Sequence, residues 1–362
     1  MLGIVPSNLV CDILSQAIAC GASDVVLKTG APPRLRVNGE WLEAATPAVE
    51  PDDIASLAGV CAIPGESADA DASFAWPEGG RFRVNFHQSL GRPGAVLRRI
   101  RPEIPALESL GLPVEVLVSW MKTRSGLVIL SGPTGSGKST TAAAILERIN
   151  QTLPRHIVTI EDPLEYLFRD ACAVFTQREV GIDTPSFAEG LRRSLRQAPD
   201  VIFLGEIRDS ESAATALQAS ETGHLVLTTL HSASAPEALE RLELFFREGE
   251  RARMRQAVAS QVRGILCQRL LPATSGGRVA ACEFFTNAAS SRVLIAGGRF
   301  PEIADFIDRN PSGASQALEE ALAGLVKSGT VAAEEALLHC LRPQNLERRL
   351  RGIASHPSAA RR

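Results

Sequence analysis

LVILSGPTGSGKST, Leu127–Thr140, decides how the rest of the chain is read. Leu127–Leu130 make a short strand-like run. Gly132–Thr140 then fit G-x-x-x-x-G-K-[ST], and the STTAAAILERIN that continues from Ser139 has the composition of a helix. Strand, glycine-rich loop and helix in that order form a phosphate cradle. Gly132, Gly135 and Gly137 let the backbone turn its N–H groups inward, and Pro133, Thr134, Ser136 and Thr140 complete the loop. The helix start adds the positive end of its dipole. In such a loop Lys138 neutralises the β- and γ-phosphates and Ser139 ligates Mg2+. The expected ligands are therefore ATP and Mg2+.

Three more apolar runs follow, HIVTI, VIFL and LVLTTL, alternating with helical segments. That pattern predicts an α/β core from Val114 to about Pro272, a mostly parallel sheet flanked by helices. In an open parallel sheet, ligands sit beyond the carboxyl ends of the strands. HIVTI runs into EDPLEY, which gathers Glu161, Asp162 and Glu165 at that edge; VIFL runs into GEIRD, which brings Glu206 and Arg208. A generic ATPase has an Asp where Gly205 stands, so Ser139, water and carboxylates must hold the metal, and Glu206 remains as the candidate water-activating base. LVLTTL has a histidine at each end. Seven residues at ~3.3 Å each separate His224 from His231 by roughly 23 Å, too far to share a metal. His231 falls at the carboxyl end, as a candidate phosphate sensor, and geometry alone gives His224 a structural or interface role.

The flanking regions differ in composition. Residues 1–100 mix helical stretches (Asn8–Ala19, Asp52–Ala62) with strands and an Asn-Gly hairpin signal in LRVNGEW, a small α+β domain. The proline-punctuated stretch 101–113 reads as a linker, 273–350 as a mainly helical region, and 351–362 as a solvated basic tail. Net charge is −3, so no global basic field draws the chain to nucleic acid, and a single tyrosine leaves little for a base-stacking surface. The seven cysteines are never closer than nine residues, which excludes a CxxC zinc cassette and fits a reducing compartment. No apolar run approaches the ~18 residues a membrane span needs. The chain is expected in the cytosol.

Four boxes stand in order: GPTGSGKST, TIEDPLEY, PDVIFLGEIRD and ETGHLVLTTLHSASA. Together they resemble the Walker A, Asp-box, degenerate Walker B and His-box motifs of the secretion ATPase superfamily, which drives type II secretion and type IV pili. GASDVVLKTGAPPRLRVNGE and RFRVNFHQSLGRPGAVLRRI resemble the two ends of the PAS-like domain of its twitching-motility branch, and no tetracysteine insert of the assembly branch is present. The resemblance implies a RecA-like P-loop domain and a homohexamer with ATP in the cleft between the two domains. It further implies action on an inner-membrane pilus platform protein, alongside a paralogous motor. It assigns Glu206 as catalytic glutamate, Glu161 and Glu165 as Asp-box acids, and His224 and His231 as the His-box pair. It also assigns Arg83 and Arg98, fifteen residues apart, as arginines that reach the phosphates. The implied function is pilus retraction at the cytoplasmic face of the inner membrane.

One departure concerns the C-terminal AIRNLIRE-type helix of retraction ATPases. Here the equivalent stretch is SSRVLIAGG, Ser290–Gly298, which keeps Arg292, Leu294 and Ile295 and gains two glycines. Each glycine is expected to weaken the helix by about 1 kcal/mol. An assembly or secretion ATPase of the same superfamily, and an accessory nucleotide-binding subunit of a pilus motor, stay open as alternatives.

Overall fold

The structure is a computed structural model, and it describes residues 6–37, 39–61, 69–76, 80–100, 103–309 and 314–352. Residues 353–362 of the expected tail and 101–102 of the expected linker lie outside the described residues. The chain divides into two compact units, Met1–Glu103 with Glu165–Leu167, and Ile104–Leu164 with Phe168–Arg362.

The first unit runs α1 (Asn8–Ala19), β1 (Asp24–Lys28), β2 (Arg34–Val37), β3 (Glu40–Glu43), α2 (Pro51–Val60), β4 (Ala70–Trp76), β5 (Gly80–Ser89) and β6 (Arg92–Ile100). Its strands form one antiparallel sheet in the order β3-β2-β1-β6-β5-β4. The alternation in RFRVNFHQ does what a period of two requires: Phe82, Val84 and Phe86 are buried and Arg83 and Asn85 are exposed. Val10, Ile13, Leu14 and Ala17 of α1, at helical spacing, join Ile54 and Leu57 of α2 over that apolar face. Ser7 caps α1, its Oγ accepting from Val10 N–H at 3.3 Å and donating to Asp53 Oδ1 at 2.5 Å, which ties the two helix starts together.

The second unit begins inside the segment read as a linker. Leu107–Leu110 form one turn of 3-10 helix, and Leu107 and Leu112 are buried in its core. Then come α3 (Val114–Met121), β7 (Gly126–Ser131), α4 (Lys138–Thr152), β8 (His156–Glu161), β9 (Val174–Glu179), α5 (Phe187–Ser194), β10 (Val201–Leu204), α6 (Ser210–Glu221) and β11 (Leu225–Thr229). After the last of these follow α7 (Ala235–Leu244), α8 (Glu248–Gln261), β12 (Val262–Pro272), β13 (Arg278–Thr286), α9 (Ala289–Ala296), α10 (Pro301–Arg309), β14 (Ser315–Gln316), α11 (Leu318–Lys327), α12 (Ala333–His339) and α13 (Pro343–Leu350). The sheet order is β14-β13-β12-β7-β11-β10-β8-β9, parallel from β12 to β9 and antiparallel at β13 and β14. One core packs α3 and α4 on one face; the other packs α5 to α10 on the opposite face.

Among the described residues, the region from 273 onward holds five helices and also a nine-residue strand, Arg278–Thr286, paired along its whole length with β12. Ala280 to Phe285 are buried without interruption, so both faces are covered and no alternation marks the strand. In SSRVLIAGG the glycines end the helix rather than weaken it. Gly297 is the C-cap of α9, and Gly298 is left-handed at φ 69°. Gly298 N–H and Arg299 N–H then donate to the Ile295 and Leu294 carbonyls at 3.0 and 2.9 Å, closing the free end of the helix.

Candidate functional site

Gly132–Thr140 leave β7 and turn into α4, with the backbone of Gly132 at φ 137°. A Cβ there would stand 2.3 Å from the Gln268 carbonyl oxygen and 2.7 Å from Ser136 Oγ, so only glycine lets β12 lie this close beneath the loop. The Lys138 ammonium, almost wholly buried, donates to the Gly132 and Pro133 carbonyls at 2.8 and 3.0 Å and lies across the loop. Thr141 Oγ1 donates to Gln268 Oε1 at 2.8 Å, pinning α4 to β12. Ser136 Oγ is buried with no hydrogen-bond partner, a polar group aimed at nothing the protein supplies. A cradle that a Cβ would fill, an ammonium and an orphaned hydroxyl fit a bound phosphate chain. Ser139 is half-buried in the first turn of α4, and its hydroxyl would be the ligand for Mg2+ beside such a chain.

The strand ends beside the loop are in step. Leu230 N–H donates to Leu130 O at 2.9 Å, Gly205 N–H to Ile160 O at 2.8 Å, and Thr229 Oγ1 to Gly205 O at 2.6 Å. This brings Glu206 and His231 together. His231 Nε2 lies 3.1 Å from Glu206 Oε2, and Arg208 Nε contacts Glu206 Oε1. Arg208 is itself held by Asp162 Oδ2 at 3.2 Å and lies over the Phe187 ring at 5.5 Å. Both oxygens of the Glu206 carboxylate are thus engaged, and its plane is fixed. Spacing alone does not reveal that Arg208 contacts Glu206 or that Asp162 holds Arg208; both follow from the return of GEIRD past β8. Glu161 is buried at the end of β8, in register with Glu179 of β9.

Burial is the main cause that holds the His231 imidazole below its ordinary value of 6.5, and the positive charges of Lys138, Arg241 and Arg208 add to it. At neutral pH the ring is uncharged, so its contact with the carboxylate requires the Nε2–H tautomer as donor. An NMR titration of the ring, assigned with His231→Gln, is expected to show a midpoint below 6.5. A midpoint above it would mean that the carboxylate, not burial, dominates.

The other expected site residues belong to the opposite sheet edge or to the first unit. His224 precedes β11 at the edge of the sheet opposite the loop. Its Nδ1 is 3.0 Å from Ala219 O and 3.2 Å from Thr222 Oγ1, at the end of α6. Within one chain it does not reach the phosphate loop, because the strand's length intervenes. Glu165 belongs with the first unit, as do Arg83 and Arg98. Those two arginines are direct cross-strand partners on the exposed face of the β5–β6 hairpin. Their spacing is that of a register centred on the two-residue turn Leu90–Gly91, both residues left-handed. Arg98 Nε also donates to Asp24 Oδ1 at 2.8 Å.

The type II/IV secretion system protein family matches residues 6–291. The chain belongs to that family. Among members of the secretion family, it is 38% identical over 343 residues to the type IV pilus retraction ATPase PilT of Pseudomonas aeruginosa, covering 92% of this chain and 98% of the relative. The type IV pilus ATPase PilU of the same organism is 37% identical, covering 90% of this chain and 87% of PilU. The crystal structure of the pilus retraction motor PilT with bound ADP superposes with a TM-score of 0.86 at 38% identity, over 93% of this chain and 98% of that one. The ATPase DotB of Legionella pneumophila gives 0.82 at 27% identity, over 92% and 95%. The α/β fold of the secretion ATPases is thus shared along nearly the whole chain. No helix among the described residues is long and apolar enough to cross a membrane, and no group of three or more metal-ligating side chains is found among them.

Proposed function

We propose that the chain is a Mg-dependent ATP hydrolase that powers pilus retraction as a homohexameric motor. The observation that carries the reading is Glu206, held on both oxygens at the strand end beside a phosphate loop, in a chain 38% identical to PilT over almost its full length. In this reading the loop amides and Lys138 hold the β- and γ-phosphates. The Ser139 hydroxyl ligates the metal, which would spread the charge of the transferred phosphoryl group. Glu206 takes the proton from the attacking water as the bond from phosphorus to the ADP oxygen breaks. His231 donates to Glu206 and faces the γ-phosphate. Glu161 and Glu165 are acids of the same reaction centre, and Arg83 and Arg98 supply positive charge to the transition state. His224, directed away from its own loop, serves an interface between subunits. The first unit acts as a PAS-like domain, the helices after β13 as the output region, and an inner-membrane platform protein as the partner at the pilus machine.

PilU favours a second reading. At 37% identity it stands level with PilT, so an accessory motor working beside a paralogue is the alternative. Counting surface pili by electron microscopy in a deletion strain separates the readings. Excess pili that do not retract are the expected result, an unchanged count indicates an accessory motor, and bald cells move the protein to the assembly branch. Phosphate release by the purified chain tests the enzyme itself.

A further inference from the structure

The loop that carries His231 is pinned at several points. Ser131 Oγ donates to Ser232 O at 2.8 Å and accepts from Ser232 N–H at 2.9 Å, which joins it to the phosphate-loop strand. Arg241 donates to the His231 carbonyl at 3.2 Å, and Glu237 Oε2 accepts from Ala233 N–H at 2.8 Å. The last pin is remote in sequence. Glu283, in the middle of β13, accepts the Ala235 N–H, first of α7, at 2.7 Å.

Glu283 is 3% exposed, and burial pushes its carboxyl up to about 7. The Ala235 N–H opposes that rise. Glu319 of α11 and Asp308 of α10 reinforce it, and Arg342, just before α13, counters it. From β12, Cys267 is the cross-strand neighbour, and Glu237 faces the same region from α7. The surrounding charges belong to one ion cluster. Arg342 bridges Asp308 at 2.7 Å and Glu319 at 3.0 Å, and Arg349 of α13 meets Asp308 at 3.0 Å. Arg349 also meets Glu320 at 3.4 Å, so the two arginines pair with three carboxylates, Asp308, Glu319 and Glu320, and Glu283 is the acid beside them that forms no ion pair with either. A buried carboxylate in that position needs a local reason, and its hydrogen bond goes to the Ala235 N–H that closes the His231 loop.

We propose that Glu283 is the positioning residue that holds the loop carrying His231, from the strand against which the C-terminal helices pack. The inference rests on the reading of His231 as a phosphate-facing residue. It makes turnover sensitive to how those helices sit, through one hydrogen bond and without contact between the helices and the nucleotide.

The test uses the full-length chain with Glu283→Leu, Glu283→Gln, His231→Ala and the double variant E283L/H231A. Steady-state ATP turnover is measured with hydrogen exchange of the Ala235 amide. Glu283→Leu is expected to lower kcat about tenfold, leave KM for ATP within about threefold, and speed exchange at Ala235. Glu283→Gln keeps an oxygen to accept that N–H and is expected to restore kcat to within threefold and slow the exchange again. The double variant is expected to be no slower than His231→Ala alone, because the two act through one loop. Wild-type kcat in Glu283→Leu beside a slow His231→Ala overturns the inference, as do additive losses in the double variant. A His231→Ala protein at wild-type rate overturns the reading of His231 itself. Should Glu283→Leu not fold, Ala235 exchange and kcat in Glu283→Gln decide: loss of both despite the retained oxygen overturns the proposal, and wild-type values for both support it.

Discussion

Glu206→Gln is expected to lower ATP turnover by about 10³-fold while ADP affinity stays within about threefold. A positioned general base is worth roughly 10² to 10⁴ in rate, and 10³ corresponds to about 4 kcal/mol of barrier. Glutamine fills nearly the same volume, and the partners of the Glu206 carboxylate, His231 and Arg208, both stand outside Gly132–Thr140, so the phosphate loop should stay intact. What it lacks is a carboxylate to receive the proton of water. Phosphate release measures the rate, and titration with a fluorescent ADP analogue measures the affinity. A normal rate would remove Glu206 from the chemistry; a rate loss with an equal affinity loss would make it a binding residue. Arg208→Ala is the companion. It leaves the carboxylate in place and frees one oxygen, so its loss should be the smaller of the two.

Glu206 was legible in the sequence because it follows a run of four buried apolar residues, and strand ends in a parallel sheet are where ligands go. The loop was legible for the same kind of reason: its residue types are those its backbone geometry requires. What the sequence hid were contacts between distant segments. β12 escaped notice because Gln268 and Arg269 interrupt GILCQRLL, and Gln268 is buried only because Thr141, far away in sequence, gives its side chain a partner. β13 passed for part of a helical region because a strand covered on both faces lacks alternation, and Glu283 in its middle has a partner that only the fold reveals. The glycines of SSRVLIAGG are costly in a helix interior and favoured at a helix end, and they stand at the end, a boundary that propensity alone does not fix.

Arg83→Ala should lower turnover by about 10³-fold without lowering stability, and that pairing of outcomes makes it diagnostic. Arginines that meet a developing phosphoryl charge are worth 10³ to 10⁵ in rate. Arg83 and Arg98 sit directly opposite each other on neighbouring strands, an arrangement that repels and destabilises by a few tenths of a kcal/mol up to about 1 kcal/mol. Asp24, on the far side of Arg98, offsets part of this through its 2.8 Å ion pair and leaves Arg83 as the outer member of the row. A sheet that needed these side chains only for folding would not set two like charges face to face. Removing Arg83 relieves the repulsion, so the melting temperature should hold or rise slightly. Arg98→Ala also breaks the pair with Asp24, which is 8% exposed, so it should cost stability as well as rate. Thermal melts and phosphate release on the two variants test the contrast. Equal rates in wild type and Arg83→Ala would make the pair a surface feature. A loss of stability matching the loss of rate would return both arginines to the fold.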